Sequence, residues 1–596
     1  MGHSFHIPVL GLGFSVDTPL KVARYGISSV ASIVDDEMIE RMREFHSKQN
    51  NIDYHPIRKV EMDHRAKRVK AYLNLVNMLI ESQHSELKQE PFVEGSDICR
   101  YFELLPESCQ EQQVYKEMQF ETDPQKKEEL QNLLRTFIKK GDAEVNIMVK
   151  VDKVNLGKDG FPLGDKFTDA LAALRGFAES ELNTSVVLSA GMNPKLYTYL
   201  SEFEDFFPSA DKQAKKKVIL KVSDFRSALI QAKFLAKKGL WVHEFRIESG
   251  LNCGGHAFAT EGYLLGPILE EFKEKRPSML EDLYGIYKNA IVAKTGSEPR
   301  QPSTRFTVQG GIGTKAEDEF LRDYYKLDGT GWGSPFLLVP EVTNVDRDTL
   351  DLLKNAVERD FYISAASPLG VPFNNFSKST AEALRLERIA KGRPGSPCTK
   401  KFLVSNTEFT SDPICTASRE YQKLKLEELD KLDLPENEYK RRFNNITEKL
   451  CLCVGLCTSA ILKNDMLKPR ENRAVAICPG PNTAYFNDIY TLNELVGHIY
   501  GRTDLLKDIK RPNLFIKELH LYVDYLKKDI ENNEGNLNDK KLKQLENFRS
   551  ELLRGIAYYR SLLPQIPFAD KYQMDIELST FQNQLEALNI SQSAEV

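Results

Sequence analysis

No apolar run in the 596-residue chain approaches the roughly 20 residues needed to span a bilayer, which excludes a transmembrane helix. Positive charge is not in excess: 81 Lys and Arg face 86 Asp and Glu, a net charge of −5, so there is no electrostatic footprint for nucleic acid. The opening MGHSFHIPVLGLG lacks a basic segment followed by an apolar one, and no secretory leader is expected. The nine cysteines are irregularly spaced in a long chain, which fits reduced thiols and not a disulfide framework. No internal repeat is evident. These absences predict a soluble, cytoplasmic protein.

What is present is ordinary globular composition, 41% hydrophobic and 28% charged, in a chain too long for one core, so two or three domains are expected. The first part alternates strand and helix signals. Strands are predicted at Ile7–Phe14, Ile27–Ile33, Ala143–Val151, Thr184–Gly191, Lys217–Val222, Trp241–Ile247, Arg305–Gln309 and Leu327–Gly333. Good helices lie between several of them, such as Phe225–Lys238, stopped by Gly239. Apolar strands alternating with helices imply parallel strands joined by crossovers. Eight such units read as an α/β protein, a (β/α)8 TIM barrel over residues 1–345, with a charged helical insertion at about 48–140. From 346 to 596 strand signals fade, and amphipathic stripes predict a mainly helical C-terminal domain. Phe515, Leu519, Tyr522, Val523 and Leu526 form one stripe; Leu545, Phe548, Leu552, Ile556 and Tyr559 form another.

In a parallel barrel the ligand site lies at the C-terminal ends of the strands. Three glycine-rich stretches fall there in order: Gly254-Gly255-His256 after strand six, Gln309-Gly310-Gly311-Ile312-Gly313 after strand seven, and Gly331-Trp332-Gly333-Ser334 after strand eight. Glycine pairs at strand ends let backbone amides approach an anion, and the helix predicted to begin at Lys315 would add its dipole.

These stretches, with Gly333-Ser334-Pro-Phe-Leu337 and the later Glu341, resemble the flavin-dependent nitronate monooxygenase family. Related FMN barrels share the pattern, among them flavin-dependent enoyl reductases and the trans-acting enoyl reductases of polyunsaturated fatty acid synthases. Pro8-Val-Leu-Gly-Leu-Gly-Phe14 and Asn146 in Val-Asn-Ile are similar to the family's first and third strands. The resemblance covers roughly residues 7 to 345. It implies FMN as cofactor, with Gly310, Gly311, Gly333 and Ser334 holding its phosphate, and Gln309 beside them. Gly254 and Gly255 would lie along the ribityl chain or phosphate, and Gly13, Phe14 and Asn146 near the ring. Lys221 would stabilise the reduced, anionic ring, and His256 would serve as the catalytic base above it. The chain departs from the family pattern at Asn252-Cys253, Gly331 and Pro335, where Glu-Ala, Gln and Arg are usual.

The function so implied is an FMN-dependent oxidoreductase that oxidises a small carbanion-forming substrate with O2. The alternatives are an NAD(P)H-dependent enoyl-thioester reductase, acting on an acyl thioester or acyl carrier, and a non-catalytic FMN-binding module of a biosynthetic assembly. A second group of residues is separate from all of these. Cys398, Cys415, Cys451, Cys453, Cys457 and Cys478 cluster in one window, yet their spacing matches neither zinc pairs nor ferredoxin runs, and no metal is assigned. The loops Ser367–Phe376 and Cys478–Phe486 are candidates for a lid over the barrel mouth.

Overall fold

The computed structural model describes residues 2–149, 152–157, 159–189, 191–208, 213–254, 261–533 and 538–590. Eight parallel strands close into a barrel in chain order. They are β1 (Phe5–Ile7), β2 (Ser28–Ser32), β3 (Ala143–Ile147), β4 (Ser185–Leu188), β5 (Lys217–Val222), β6 (Val242–Glu248), β7 (Arg305–Gln309) and β8 (Gly329–Gly331). The (β/α)8 expectation is met. The largest difference in bounds is at the first strand, predicted to run on to Phe14. Pro8 has no N–H to give the ladder, and Gly11 turns the chain at φ +96°, so the apolar run after Ile7 becomes a loop over the barrel mouth.

Side chains alternate across each strand, and the inward positions form layers. One layer is ionic. Arg246 on β6 donates to Glu144 on β3 (2.9 Å) and to Glu244 on its own strand (2.8 Å), while Thr307 on β7 donates to Glu244 (2.6 Å). One guanidinium thus meets two buried carboxyls. Burial raises the Glu144 carboxyl well above the carboxylate range; in Glu244 the same burial is outweighed by Arg246 and further positive neighbours, and its pKa falls. A small apolar cluster, Val9, Val30, Val187 and Ile219, is separate from the main core.

Helices cover the barrel. Between β2 and β3 the insertion supplies helices His64–Gln89, Asp97–Leu104, Gln110–Phe120 and Pro124–Phe137. It is anchored by Arg65 and Arg68, which each bond the buried Asp36 at 2.8 Å. Past the barrel, Leu514–Asn532, Asp539–Leu562 and Lys571–Ala587 pack together, and both apolar stripes read from the sequence are buried. The fading of strand signals does not hold throughout this part. An antiparallel hairpin pairs β9 (Phe361–Ser364) with β10 (Phe373–Phe376), each only four residues long and too short to register as a strand. No single helix among the described residues is long and apolar enough to cross a membrane.

The ionic layer makes a prediction. Arg246→Met strands the ionised Glu244 in the barrel and is expected to cost about 3–5 kcal/mol. Glu144→Gln imitates the protonated acid and should change stability by no more than about 1 kcal/mol. Urea-unfolding midpoints of the two variants check this, and similar losses in both would contradict the charge assignment.

Candidate active site at the mouth of the barrel

Strand β6 points Glu244, Arg246 and Glu248 inward in turn, and Glu248 sits at its C-terminal end, where barrel sites lie. Its Oε1 accepts three hydrogen bonds: from Lys221 Nζ on β5 (3.1 Å), from Asn252 Nδ2 in the following loop (2.5 Å), and from Gln309 Nε2 on β7 (2.8 Å). Its Oε2 is buried and has no hydrogen-bond partner among the described residues. The carboxylate is therefore fixed through one oxygen while the other is left bare. Cα register explains the Gln309 contact, since Glu248 lies opposite Gln309, which lies opposite Gly331, which lies opposite His6. A Cβ on Gly331 would stand 2.7 Å from Gln309 Cβ and 2.8 Å from His6 Nε2. Glycine is needed there because the neighbouring strands fill the space, so the departure from glutamine at this position has a steric cause. Burial lowers the pKa of His6 to about 3, so the imidazole beside Gln309 is neutral.

The Lys221–Glu248 pair forms a wall common to two cavities. A small one, about 140 Å³, is bounded by Gly11, Leu12, Ser32, Asn146, Asn252 and Gly254. The loops expected to act as a lid do cover it: Leu369 and Phe373 from the hairpin, and Cys478. Phe402, Leu403, Leu452 and Leu456 complete an apolar roof. Ser32 Oγ and Asn146 Oδ1, at its polar side, are buried and have no partner among the described residues. The other cavity, about 300 Å³, lies toward Met192, Asp224, Tyr263 and Tyr522.

The expected site residues that are described divide into three sets. Asn146, Lys221 and Gly254 line the small cavity, and Gln309 supports it through Glu248. Gly13 and Phe14 do not line it. Gly13 N donates to Leu456 O (3.0 Å) and packs against the helix Leu452–Lys463, while Phe14 is buried in the core. Gly255 and His256 lie outside the described residues. Gly310, Gly311, Gly333 and Ser334 form the third set, at the place where the resemblance puts a cofactor phosphate.

That place is closed by the chain itself. Gly310 and Gly311 take left-handed backbone angles (φ +106° and +81°) and make the expected tight turn. The amide of Gly313, just before the helix Lys315–Tyr324, donates to Glu317 Oε2 (2.8 Å), so a carboxylate holds the anion position. Arg511 Nη1 pairs with Glu317 Oε1 (2.7 Å) and its Nη2 donates to Gly311 O. Asn482 Nδ2 donates to Ile312 O (2.9 Å), His498 Nε2 contacts Gly313 O (2.8 Å), and Gly254 N donates to Cys478 O (3.1 Å). Gly480 lies so near Ser334 that a Cβ on it would be 2.8 Å from Oγ. None of Gly310, Gly311, Gly333 and Ser334 lines the 140 Å³ cavity. Asn146 and Lys221, expected near the ring of an FMN, line the small cavity, whereas the residues expected at its phosphate are packed against other parts of the chain and do not fit the group.

Of the six clustered cysteines, Cys398, Cys415 and Cys453 lie close enough to shift one another's thiols. No three His, Cys, Asp or Glu side chains converge on a metal position among the described residues. Cys457 Sγ donates to Asp35 Oδ2 (3.2 Å), and contact with Cys415 lowers the Cys398 thiol. Cys451 starts the helix that carries Cys453 and Cys457, whose thiols burial pushes up. Burial likewise raises Cys253, whose Sγ lies 3.5 Å from Cys478 O. The residue that reading by motif passed over is Glu248. Its signal was the alternation Glu244, Arg246, Glu248, a period-two polar face on a strand whose other face is apolar.

No protein-family model matches the chain, and no curated protein does. Among solved structures, the enoyl reductase domain of MlnA from the macrolactin biosynthesis cluster of Bacillus amyloliquefaciens is similar at 14% identity, covering 73% of this chain and 88% of that one, with a TM-score of 0.31. A nitroalkane oxidase from Streptomyces ansochromogenes is similar at 10% identity, covering 62% and 77%, with a TM-score of 0.28.

The Glu248 cluster predicts a coupling. Lys221→Met leaves a buried carboxylate without its cation and should lower stability by about 3–5 kcal/mol. Adding Glu248→Gln to that variant should restore part of the loss, so that the two effects are not additive. A double-mutant cycle from chemical denaturation measures this, and simple additivity would refute the pairing.

Proposed function

We propose that the protein is an enzyme that removes a proton from carbon in a small carbanion-forming substrate, with Glu248 as the base. The observation that carries this reading is the bare Oε2 of a carboxylate whose Oε1 is held by three donors at the end of a barrel strand. Such fixing orients the base before the substrate arrives, which is how positioning lowers a barrier.

Each neighbour has a role in that step. Lys221 spends one of its three ammonium protons on Glu248 and keeps the others for a substrate oxygen, where negative charge develops as the proton leaves. Asn252 and Gln309 hold the carboxylate in register and are positioning residues. Asn146 Oδ1 and Ser32 Oγ are acceptors open to donors on the substrate. The roof of Leu369, Phe373, Phe402 and Leu456 excludes water, which strengthens these interactions. A cavity of about 150 Å³ holds a molecule of benzene's size, so the 140 Å³ here suits a substrate of similar bulk, such as a short nitroalkane or a 2-oxo acid.

A flavin-dependent oxidoreductase is the second reading, favoured by one observation: Asn146 and Lys221, two of the four residues expected at the ring end, line the same cavity. A flavin would supply the electron acceptor for the carbanion that Glu248 leaves behind.

Solvent-deuterium exchange at the acidic carbon, followed by NMR with the full-length protein, tests the proposal. Nitroethane, pyruvate and a short acyl thioester are suitable probes. Wild type should accelerate exchange in at least one of them, and Glu248→Gln should reduce that acceleration by about 10²–10⁴-fold. No acceleration by wild type, or full acceleration by the variant, overturns the role of Glu248. Oxygen consumption coupled to exchange would favour the second reading.

A further inference from the structure

We infer that the phosphate cradle between the β7 and β8 loops is permanently filled by the protein's own anion, so that the barrel mouth selects a ligand lacking a phosphate. The inference does not depend on which reaction the cavity performs. It rests on what the groups around the Gly313 amide are bonded to, and on how closely Arg511 and the segment at 478–482 pack against this turn.

A phosphate site of this kind needs free backbone N–H groups at a helix N-terminus, room beside the glycines, and net positive potential. Here the Gly313 amide is taken by Glu317 Oε2, and the Glu317 amide by the Thr314 hydroxyl (3.2 Å). Glu317 Oε1 receives both Arg511 Nη1 (2.7 Å) and the Leu514 amide (2.8 Å). Arg511 Nε goes to Asn482 Oδ1 (2.8 Å), and the other amide group of Asn482 holds Ile312 O. Every polar group of this set points at another member, and the Glu317 and Arg511 side chains are 1% and 5% exposed. A Cβ on Gly313 would sit 2.6 Å from Arg511 Cζ, so the guanidinium occupies the space a ligand oxygen would need. The cation an incoming phosphate would use is thus already neutralised, and a second anion would face the Glu317 charge at close range.

The closure is supplied from two separated segments, residues 478–482 and Arg511, and both arrive on well-packed parts of the chain. Cys478, Pro481, Asn482 and Thr483 are buried, and Arg511 shortly precedes the helix Leu514–Asn532, whose own first amide is among the groups Glu317 satisfies. Expelling Glu317 would leave three donors in the interior without an acceptor, each at the cost of an unmade buried hydrogen bond. The glycines at 310 and 311 therefore serve a tight backbone crossing: a Cβ on Gly311 would be 2.5 Å from Leu251 Cδ1 and one on Gly310 3.0 Å from Asn252 N. They bring the β7 turn against the β6 loop that carries Asn252 to Glu248.

Titration of the purified full-length protein with FMN and with riboflavin, followed by flavin fluorescence, is the test, because the two differ only in the phosphate. The protein should purify without FMN. FMN should bind no more tightly than riboflavin, and inorganic phosphate should leave Tm unchanged. Absence of binding by both flavins agrees with the inference as well, since no affinity then comes from phosphate. FMN released from the purified protein by acid, or FMN binding tenfold or more tighter than riboflavin, overturns it. Failure of the exchange assay with Glu248→Gln would leave this result untouched, so the two proposals fail separately.

Discussion

Arg511 and Glu317 meet at 2.7 Å in the interior, and their contact fixes how the C-terminal helices sit on the barrel. Desolvating two charges is costly, and a buried pair endures only when its remaining hydrogen-bonding capacity is filled. Here it is filled by the Gly313 and Leu514 amides, Asn482 and the Gly311 carbonyl, drawn from the β7 loop, the segment at 482 and the start of the helix at 514. The same helix sends Glu518 to the β6 loop, where it accepts from Ser249 Oγ (2.7 Å) and the amides of Gly250 (3.0 Å) and Leu265 (2.7 Å). Burial raises the Glu518 carboxyl, since no cation faces it, yet three donors hold it in place. The barrel mouth is therefore finished by acids working on backbone amides.

Chemistry and stability are assigned to different carboxyls by their partners. Glu317 and Glu518 have acceptor capacity used on both oxygens and serve as joints. Glu144 keeps a raised pKa beside an arginine it shares with Glu244. Glu248 alone of these four has one oxygen saturated and the other without a partner among the described residues. The contrast within a single barrel supports the division of roles.

Much of the barrel was legible because its signals are local. Lys217–Val222 and Arg305–Gln309 were read with the bounds observed, their apolar residues bracketed by polar ones. Asn146 was reached through the family resemblance and Lys221 through its place on the fifth strand, and both line the small cavity. The closed cradle was not legible. Gly-Gly-Ile-Gly reads the same whether its amides face a ligand or a carboxylate, and the residues that decide, Asn482 and Arg511, lie 170 and 200 positions from Ile312 and Gly311. Gly13 was misjudged for a related reason: its neighbour is the helix at 452–463, whose docking leaves no trace near residue 13.

Glu518 also has a consequence for the chain's capacity to vary. By bonding Gly250 on one side and Leu265 on the other, it pins the two feet of the segment between them to a single side chain. Substitution of Glu518 would therefore loosen the end of β6 and the start of the helix Leu265–Thr295 together, so the chain can vary at this position only where both junctions are rebuilt at once.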